Sequence, residues 1–553
     1  MSPVNETPNL KVFRGCFFHA PEYGHIESLL DNLMVVKDGK IVHVGPGSEE
    51  ASALAEYSIK EDAVYRIKEG QFFIPGFIDT HVHAPQYKFA GTATDLPLLD
   101  WLKTYTFPTE SRFSDLKAAL SRYSLLLKRF LRNGTTTAMY YGTIHLEATK
   151  LLADLVELSG QRAVLGKVCM DQNSIEDYVE ETNRSLEETE TFVKYVRSKQ
   201  CTRVDPCITP RFIPTCSMPL MKGLSNLASK YKCHIQSHIS ECCGEVNWVK
   251  DLHPSYGSDT ELFDELGLLT NKAVMAHGTF LSDKDMKLMS RRGAAISHCP
   301  LSNFFVGDAC FPVNRAISSG LKVGLGTDIA GGMSASILSA MRSAVVNSRA
   351  IRAFNIAQSG GTKVTPEMEK DVITYKEALY LATMGGAESL DLADRIGSFH
   401  VGKEFDALLV DPLVPMGPFD VFEDESPSLV VEKFLNLGDD RNILEVYVQG
   451  QLVRKEGRFM LDDRLNAPDC EADSHITEAL TLAKDAIEEE SLLIAAAAAT
   501  SSVSSGGKCS GGGSASAHIN KPKLARRCRW MIDGEDEIKR RLEACRAKRL
   551  KHL

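Results

Sequence analysis

The chain has 553 residues, 43% of them hydrophobic and 25% charged, with 63 Lys and Arg against 73 Asp and Glu and a formal net charge of -10. That balance fits a globular protein with a sizeable core and excludes one that works by wrapping nucleic acid or an anionic membrane surface, which needs an excess of basic residues. Fourteen cysteines without a single C-x-x-C spacing exclude a disulfide scaffold, a zinc ribbon and a thioredoxin-like pair, and reduced thiols in a cytosolic protein are the economical expectation. No basic and apolar leader opens the sequence, and the longest apolar run, Leu492 to Ala499, is too short to span a bilayer, so membrane insertion is not expected.

From Leu10 to Ile74 short apolar runs such as Asn32 to Val36, Lys40 to Val44 and Tyr65 to Ile67 predict a small antiparallel β unit, with Asp38-Gly39 as a two-residue hairpin turn. The rhythm then changes to strand, loop and amphipathic helix. Eight candidate strands follow: Phe73 to His81, Thr135 to Tyr141, Ala163 to Cys169, Arg203 to Thr209, His234 to His238, Ala273 to His277, Ala294 to His298 and Lys322 to Asp328. Helical patterns separate them, among them Asp115 to Arg132 and Ser334 to Phe354. Eight such units predict an α/β protein built on a closed (β/α)8 TIM barrel. Strand-like runs return at Ala407 to Val410, Ile443 to Val448 and Gln451 to Val453, so the two ends are expected to build one discontinuous, β-sandwich-like domain. The expected limits are 1–72 and 391–465 for that domain, 73–390 for the barrel, and 466–553 for a flexible, low-complexity and basic tail. Residues 521–553 carry 12 Lys or Arg against 5 Asp or Glu, which reads as a solvated charged helix on a tether or, less simply, as a dock for an anionic partner.

Several histidines fall at the predicted C-terminal ends of barrel strands, where barrel active sites sit: His81, His83, His238, His277 and His298. The H-x-H of His81 and His83 sets two imidazoles on the same side of a strand, and His238, His277 and Asp328 come from later strands. Four nitrogens and one carboxylate suit a single zinc or iron and are too nitrogen-rich for magnesium or calcium. Singly, each residue also reads as a satisfied loop histidine or, for Asp328, a helix cap; together they predict a metal site. Glu241, three residues after His238, has the place of a general base that later returns its proton, or of a surface glutamate opening a helix.

The segments Pro75 to His83, His238 to Glu241, His277-Gly278, Ser297 to Pro300 and Gly324 to Asp328 resemble the successive signatures of the amidohydrolase superfamily. The resemblance covers about residues 10 to 465, including Gly397 to Ala407. The narrower markers His83-Ala84-Pro85-Gln86-Tyr87 and Thr209-Pro210-Arg211-Phe212 resemble the members that deaminate guanine. It implies one zinc ion per subunit held by His81, His83, His238 and Asp328, with His277 as a further ligand or a partner of the reacting groups. It also implies a homodimer and a cytosolic enzyme of guanine catabolism. Gln86, Arg211 and Phe212 are implied to hold the purine, with His83, Ala84, Pro85 and His238 around it. Each of the first three has a plainer reading as loop amide, ion-pair partner and core residue. The implied reaction takes guanine to xanthine and ammonia: water activated by the metal and Glu241 attacks C2, Glu241 protonates a ring nitrogen and Asp328 accepts the second proton.

Other chemistries lack their residues. His145-Leu146-Glu147 supplies the first half of a cytidine-deaminase signature, but the C-x-x-C is missing, and no phosphate-binding loop or serine nucleophile elbow occurs. The alternatives that stay open are a sister enzyme acting on another aminated heterocycle or cyclic amide, and a non-catalytic scaffold. Lys167, a candidate for the carboxylated lysine of two-metal relatives, lies ahead of its strand end and reads as structural.

Overall fold

The computed structural model describes residues 9–361 and 363–461; the tail expected over 466–553, with its possible anionic partner, lies outside them. Among the described residues, eighteen strands form two sheets. In chain order they are β1 (Leu10–Glu22), β2 (His25–Lys37), β3 (Lys40–Pro46), β4 (Val64–Arg66), β5 (Phe72–Pro75), β6 (Phe77–His83), β7 (Thr135–Tyr141), β8 (Arg162–Gly166) and β9 (Val168–Cys169). There follow β10 (Val204–Pro210), β11 (His234–Ile239), β12 (Ala273–His277), β13 (Ala295–His298), β14 (Lys322–Leu325), β15 (Ala407–Val410), β16 (Ile443–Val448), β17 (Gln451–Lys455) and β18 (Arg458–Phe459).

The first sheet runs β18-β17-β16-β15-β5-β1-β2-β3, so strands from both ends of the chain share it. Asp38 (φ 49) and Gly39 (φ 83) make the expected turn between β2 and β3, with positive φ at both central positions. The unit is not purely antiparallel, because β4 and β5 run parallel to β1 and a long connection joins them. The sheet curls: Phe13 on β1 and Tyr447 on β16 are three strands apart, about 14 Å if flat, yet their ring centroids lie 5.4 Å apart in edge contact. Phe17, Phe73 and Phe405 complete that aromatic core.

The second sheet is parallel and runs β14-β13-β12-β11-β10-β8-β7-β6, with β9 beside β10. Beyond β14 it closes onto β6 through Asp328 N–H to His81 O (3.0 Å) and His83 N–H to Ile329 O (3.1 Å). Ile78, Met139, Val164, Cys207, Val274 and Ala295, one from each of six strands, pack as one cluster, the layered filling that makes such a barrel a core rather than a pore. Helices cover it: in Leu116–Arg132, Asp115 caps the first turn by accepting from the N–H groups of Lys117 and Ala118, and Leu120, Tyr123, Leu127, Phe130 and Leu131 are buried.

The single strand expected over 73–81 is two strands. Phe72–Pro75 pairs with Ala407–Val410 in the first sheet, and only from Phe77 does the chain enter the barrel. Gly76 is the crossing point, since a Cβ there would lie 2.2 Å from Thr136 Oγ1. The segment Gly397 to Ala407 meets this crossing, with Asp406 O accepting from Gly76 N–H and the buried Arg162 at the start of β8 ion-paired to both Glu404 and Asp406. No helix among the described residues is long and apolar enough to cross a membrane, and the cysteines described are free thiols.

Candidate active site

The C-terminal ends of the barrel strands bring His81, His83, His238, His277, Glu241 and Asp328 together, all buried. Their potential ligand atoms converge: those of His81, His238 and His277, of His81, His83 and Asp328, and of Glu241, His277 and Asp328 lie within 4.8 Å of one another in each group. Asp328 Oδ1 is 3.0 Å from His81 Nε2 and 3.6 Å from His83 Nε2, and the Nε2 atoms of His83 and His238 are 2.9 Å apart. Three of the residues that turn the chain here have left-handed backbone, Ser240 (φ 47), His277 (φ 74) and Asp328 (φ 48). Such conformations are disfavoured for non-glycine residues and persist where the surrounding structure holds them, commonly at functional sites.

The donor set fits a metal ion. Nδ1 of His238 donates to Arg211 O (2.6 Å) and Nδ1 of His277 to Asn303 Oδ1 (2.9 Å), which leaves each Nε2 as a bare lone pair aimed inward. Nε2 of His277 has no hydrogen-bond partner although buried, a state that costs free energy unless something else is held there. Burial first, and the neighbouring imidazoles after it, hold His83 and His238 well below the usual histidine range; burial outweighs Asp328 to take His277 down to about 4. Neutral imidazoles beside a carboxylate are what a zinc-like cation binds.

The carboxyls diverge. Burial, then the charges of Asp328 and Glu245, push Glu241 well above the usual carboxyl range. Burial also acts to raise Asp328, but His81 and His277 outweigh it and hold it below its ordinary value. Two carboxyls pushed in opposite directions are suited to different parts of a proton transfer.

Above the cluster opens a cleft lined by His83, Gln86, Arg211, Phe212, His238, Glu241 and Asp328, with Leu98, Trp101, Leu102, Val306 and Gly331. Ala84 and Pro85 are buried in the turn that follows β6 and do not line it, while His81 and His277 lie behind the lining. Arg211 lines the cleft and is also a buried ion-pair partner of Glu110 (2.6 Å). Phe212 lies edge-on to His238, with ring centroids 6.4 Å apart. His298 sits at the end of β13 outside the ligand groups, and Lys167 turns its ammonium to the buried Glu180.

Sequence reasoning missed the apolar wall Leu98, Trp101 and Leu102, the orienting Asn303, and the pair Glu110 and Tyr178. Asn303 stands three residues past the Ser297 to Pro300 motif and was within its reach. Glu110 carries no local signal.

A family model described as the amidohydrolase family matches residues 72–453. The chain is 44% identical over 459 residues to a guanine deaminase of Mus musculus, covering 82% of this chain and 98% of that one. It is 43% identical over 454 residues to a guanine deaminase of Dictyostelium discoideum, covering 80% and 98%. Among solved structures, a guanine deaminase from C. acetobutylicum with bound guanine in its active site superposes with a TM-score of 0.72 at 34% identity, over 80% of this chain and all of that one. A barrel whose strand ends carry this set of imidazoles and carboxyls, in a sequence matched over such a length, belongs to the amidohydrolase family and, within it, to the group formed by the guanine deaminases.

Proposed function

We propose that the protein is a guanine deaminase, hydrolysing guanine to xanthine and ammonia with one zinc ion per subunit held by His81, His83, His238, His277 and Asp328. The observation that carries the reading is the cleft itself, in which Gln86, Arg211 and Phe212 stand over the convergent ligand atoms of that cluster. When bound there, such a cation supplies Lewis acidity that makes water nucleophilic near neutral pH.

The chain's own residues do the rest. Arg211 donates to the carbonyl and ring-nitrogen side of the purine, Gln86 offers a donor and an acceptor, and Phe212 packs on the ring. Glu241, a buried carboxylate whose surroundings raise its affinity for a proton, takes the proton of the attacking water and delivers it to N3 as the new C–O bond forms at C2. Asp328, held ionised, accepts the second proton. That proton returns to the exocyclic amine, the C2–N bond breaks and ammonia leaves. Leu98, Trp101, Leu102 and Val306 line the cleft with apolar surface, which strengthens each of these polar contacts by limiting water.

Family resemblance supports a homodimer, and the exposed Val346 and Phe354 on the helix Ile337–Gln358 offer apolar surface for one. Sedimentation tests that part.

The test of function is ammonia release by purified protein from guanine, adenine, cytosine and a cyclic amide, before and after metal stripping and zinc readdition. Release from guanine alone, lost on stripping and restored by zinc, is the expected result. Release from another compound moves the substrate to a sister reaction. No release with metal bound makes the protein a scaffold.

A further inference from the structure

Glu110 ends the short helix Phe107–Glu110, has no exposed surface and does not line the cleft. Its carboxylate nevertheless binds two residues that do. Oε1 accepts from Gln86 Nε2 (2.9 Å) and Arg211 Nη2 (3.2 Å); Oε2 accepts from Arg211 Nη1 (2.6 Å) and the Tyr178 hydroxyl (2.8 Å). Four donors saturate an acceptor-only group.

Two constraints follow. The Gln86 amide has one orientation, because its Oε1 accepts from Ala330 N–H (3.1 Å) and a flip would set oxygen against the carboxylate and NH2 against that N–H. The Arg211 guanidinium is held in plane by bonds from both terminal nitrogens and by the Phe107 ring, whose centroid is 5.0 Å away. Burial acts against the charge on Arg211, but the Glu110 charge outweighs it, and the guanidinium is a cation able only to donate.

We propose that Glu110 sets which purine edge this site accepts: by fixing Gln86 in one amide orientation and the donor-only Arg211 guanidinium in one position, it selects a 6-oxo purine over a 6-amino purine. This rests on the reading of the cleft as a purine site. A 6-oxo group offers Arg211 an acceptor, whereas a 6-amino group points N–H bonds at a residue that has none to accept them. Sites built to hydrogen-bond a particular group discriminate strongly because the wrong ligand leaves buried polar atoms unpaired. Glu110 acts through Gln86 and Arg211 and is a positioning residue. Without its carboxylate the amide keeps only the Ala330 N–H to orient it, and the guanidinium loses both of its ion-pair bonds.

The test is equilibrium binding of hypoxanthine and adenine, a 6-oxo and a 6-amino purine without the 2-amino group that leaves, to the zinc-loaded wild type, Glu110→Gln and Tyr178→Phe. Wild type should prefer hypoxanthine by ~100-fold or more. Glu110→Gln should narrow that preference at least ~10-fold, and Tyr178→Phe, which removes one donor and leaves the ion pair, by ~3-fold in the same direction. On guanine, KM should rise more than kcat falls. Tyr178→Phe with wild-type metal content and melting temperature serves if Glu110→Gln does not fold. The proposal is overturned if wild type shows no preference, or if folded variants keep it or weaken both ligands equally, as a purely structural ion pair would. A Glu110-dependent preference in a protein that releases no ammonia from guanine would overturn the deaminase reading and leave this one standing.

Discussion

The backbone carbonyl of Arg211 accepts a 2.6 Å hydrogen bond from Nδ1 of His238, so the residue that presents a guanidinium to the cleft also sets the tautomer of an imidazole in the ligand cluster. The cleft and the histidine cluster are thereby tied through one residue, which directly follows β10. Ser237 Oγ, one residue before His238, donates to the same carbonyl at 3.3 Å.

His277 has the equivalent support from Asn303. Replacing Asn303 with Ala removes the 2.9 Å acceptor of the Nδ1 proton and frees the ring to change tautomer. Metal affinity, read by competition with a chelator, should fall about 10- to 100-fold, the usual effect of losing such an orienting partner. Unchanged affinity would remove His277 from the ligand set.

Glu241→Gln keeps the shape of the side chain and loses its titration. The variant should hold metal like the wild type and lose about 10²- to 10⁴-fold in turnover of guanine. Metal analysis and ammonia release on the same preparation decide it; near-normal turnover would assign the proton transfer elsewhere.

Glu245 accepts the Glu241 backbone N–H at 2.6 Å and is itself buried. Burial first, and the Asp259 charge second, push its carboxyl from 4.5 up to about 8. The folded chain therefore binds more protons than the unfolded one between these values. Stability from this group is fully present below the unfolded value and is lost as pH rises through the folded one, at ~1.4 kcal/mol per unit at most. Glu245→Gln retains an oxygen for the Glu241 N–H and removes the titration. Its Tm should gain on that of wild type from about pH 5 to about pH 8, and two parallel Tm curves would show that Glu245 titrates normally.

Arg162 holds the start of β8 to the chain that re-enters the curled sheet, paired with Glu404 and Asp406, and all three are buried. Removing the cation leaves the buried Asp406 without a cationic partner and Glu404 with Arg395 alone. Arg162→Ala should cost about 3–5 kcal/mol in denaturant unfolding, whereas a loss below about 1 kcal/mol would mean that water or another cation replaces it.

Much of the site was legible because its chemistry is local. The spacing of His81 and His83 matches the two-residue period of a strand, and β6 presents both near its C-terminal end. His238 and His277 likewise stand on β11 and β12, where apolar runs announce the strands. The error over 73–81 has the opposite origin: Phe72 to Ile78 reads as one apolar stretch, and only partners distant in sequence, Ala407–Val410 on one side and Thr135–Tyr141 on the other, divide it at Gly76.

By itself the sequence determined the alternation of strands and helices, the ligand types and their order, because hydrophobic period and side-chain chemistry are properties of neighbouring residues. Tertiary structure alone decided that β4 and β5 run parallel to β1, that Arg211 is at once cleft residue and ion-pair partner, and that Glu110 joins Gln86, Arg211 and Tyr178 on one carboxylate. Those relationships join residues as far as 101 positions apart, and they exist because closing the barrel removes water from polar groups that must then find one another.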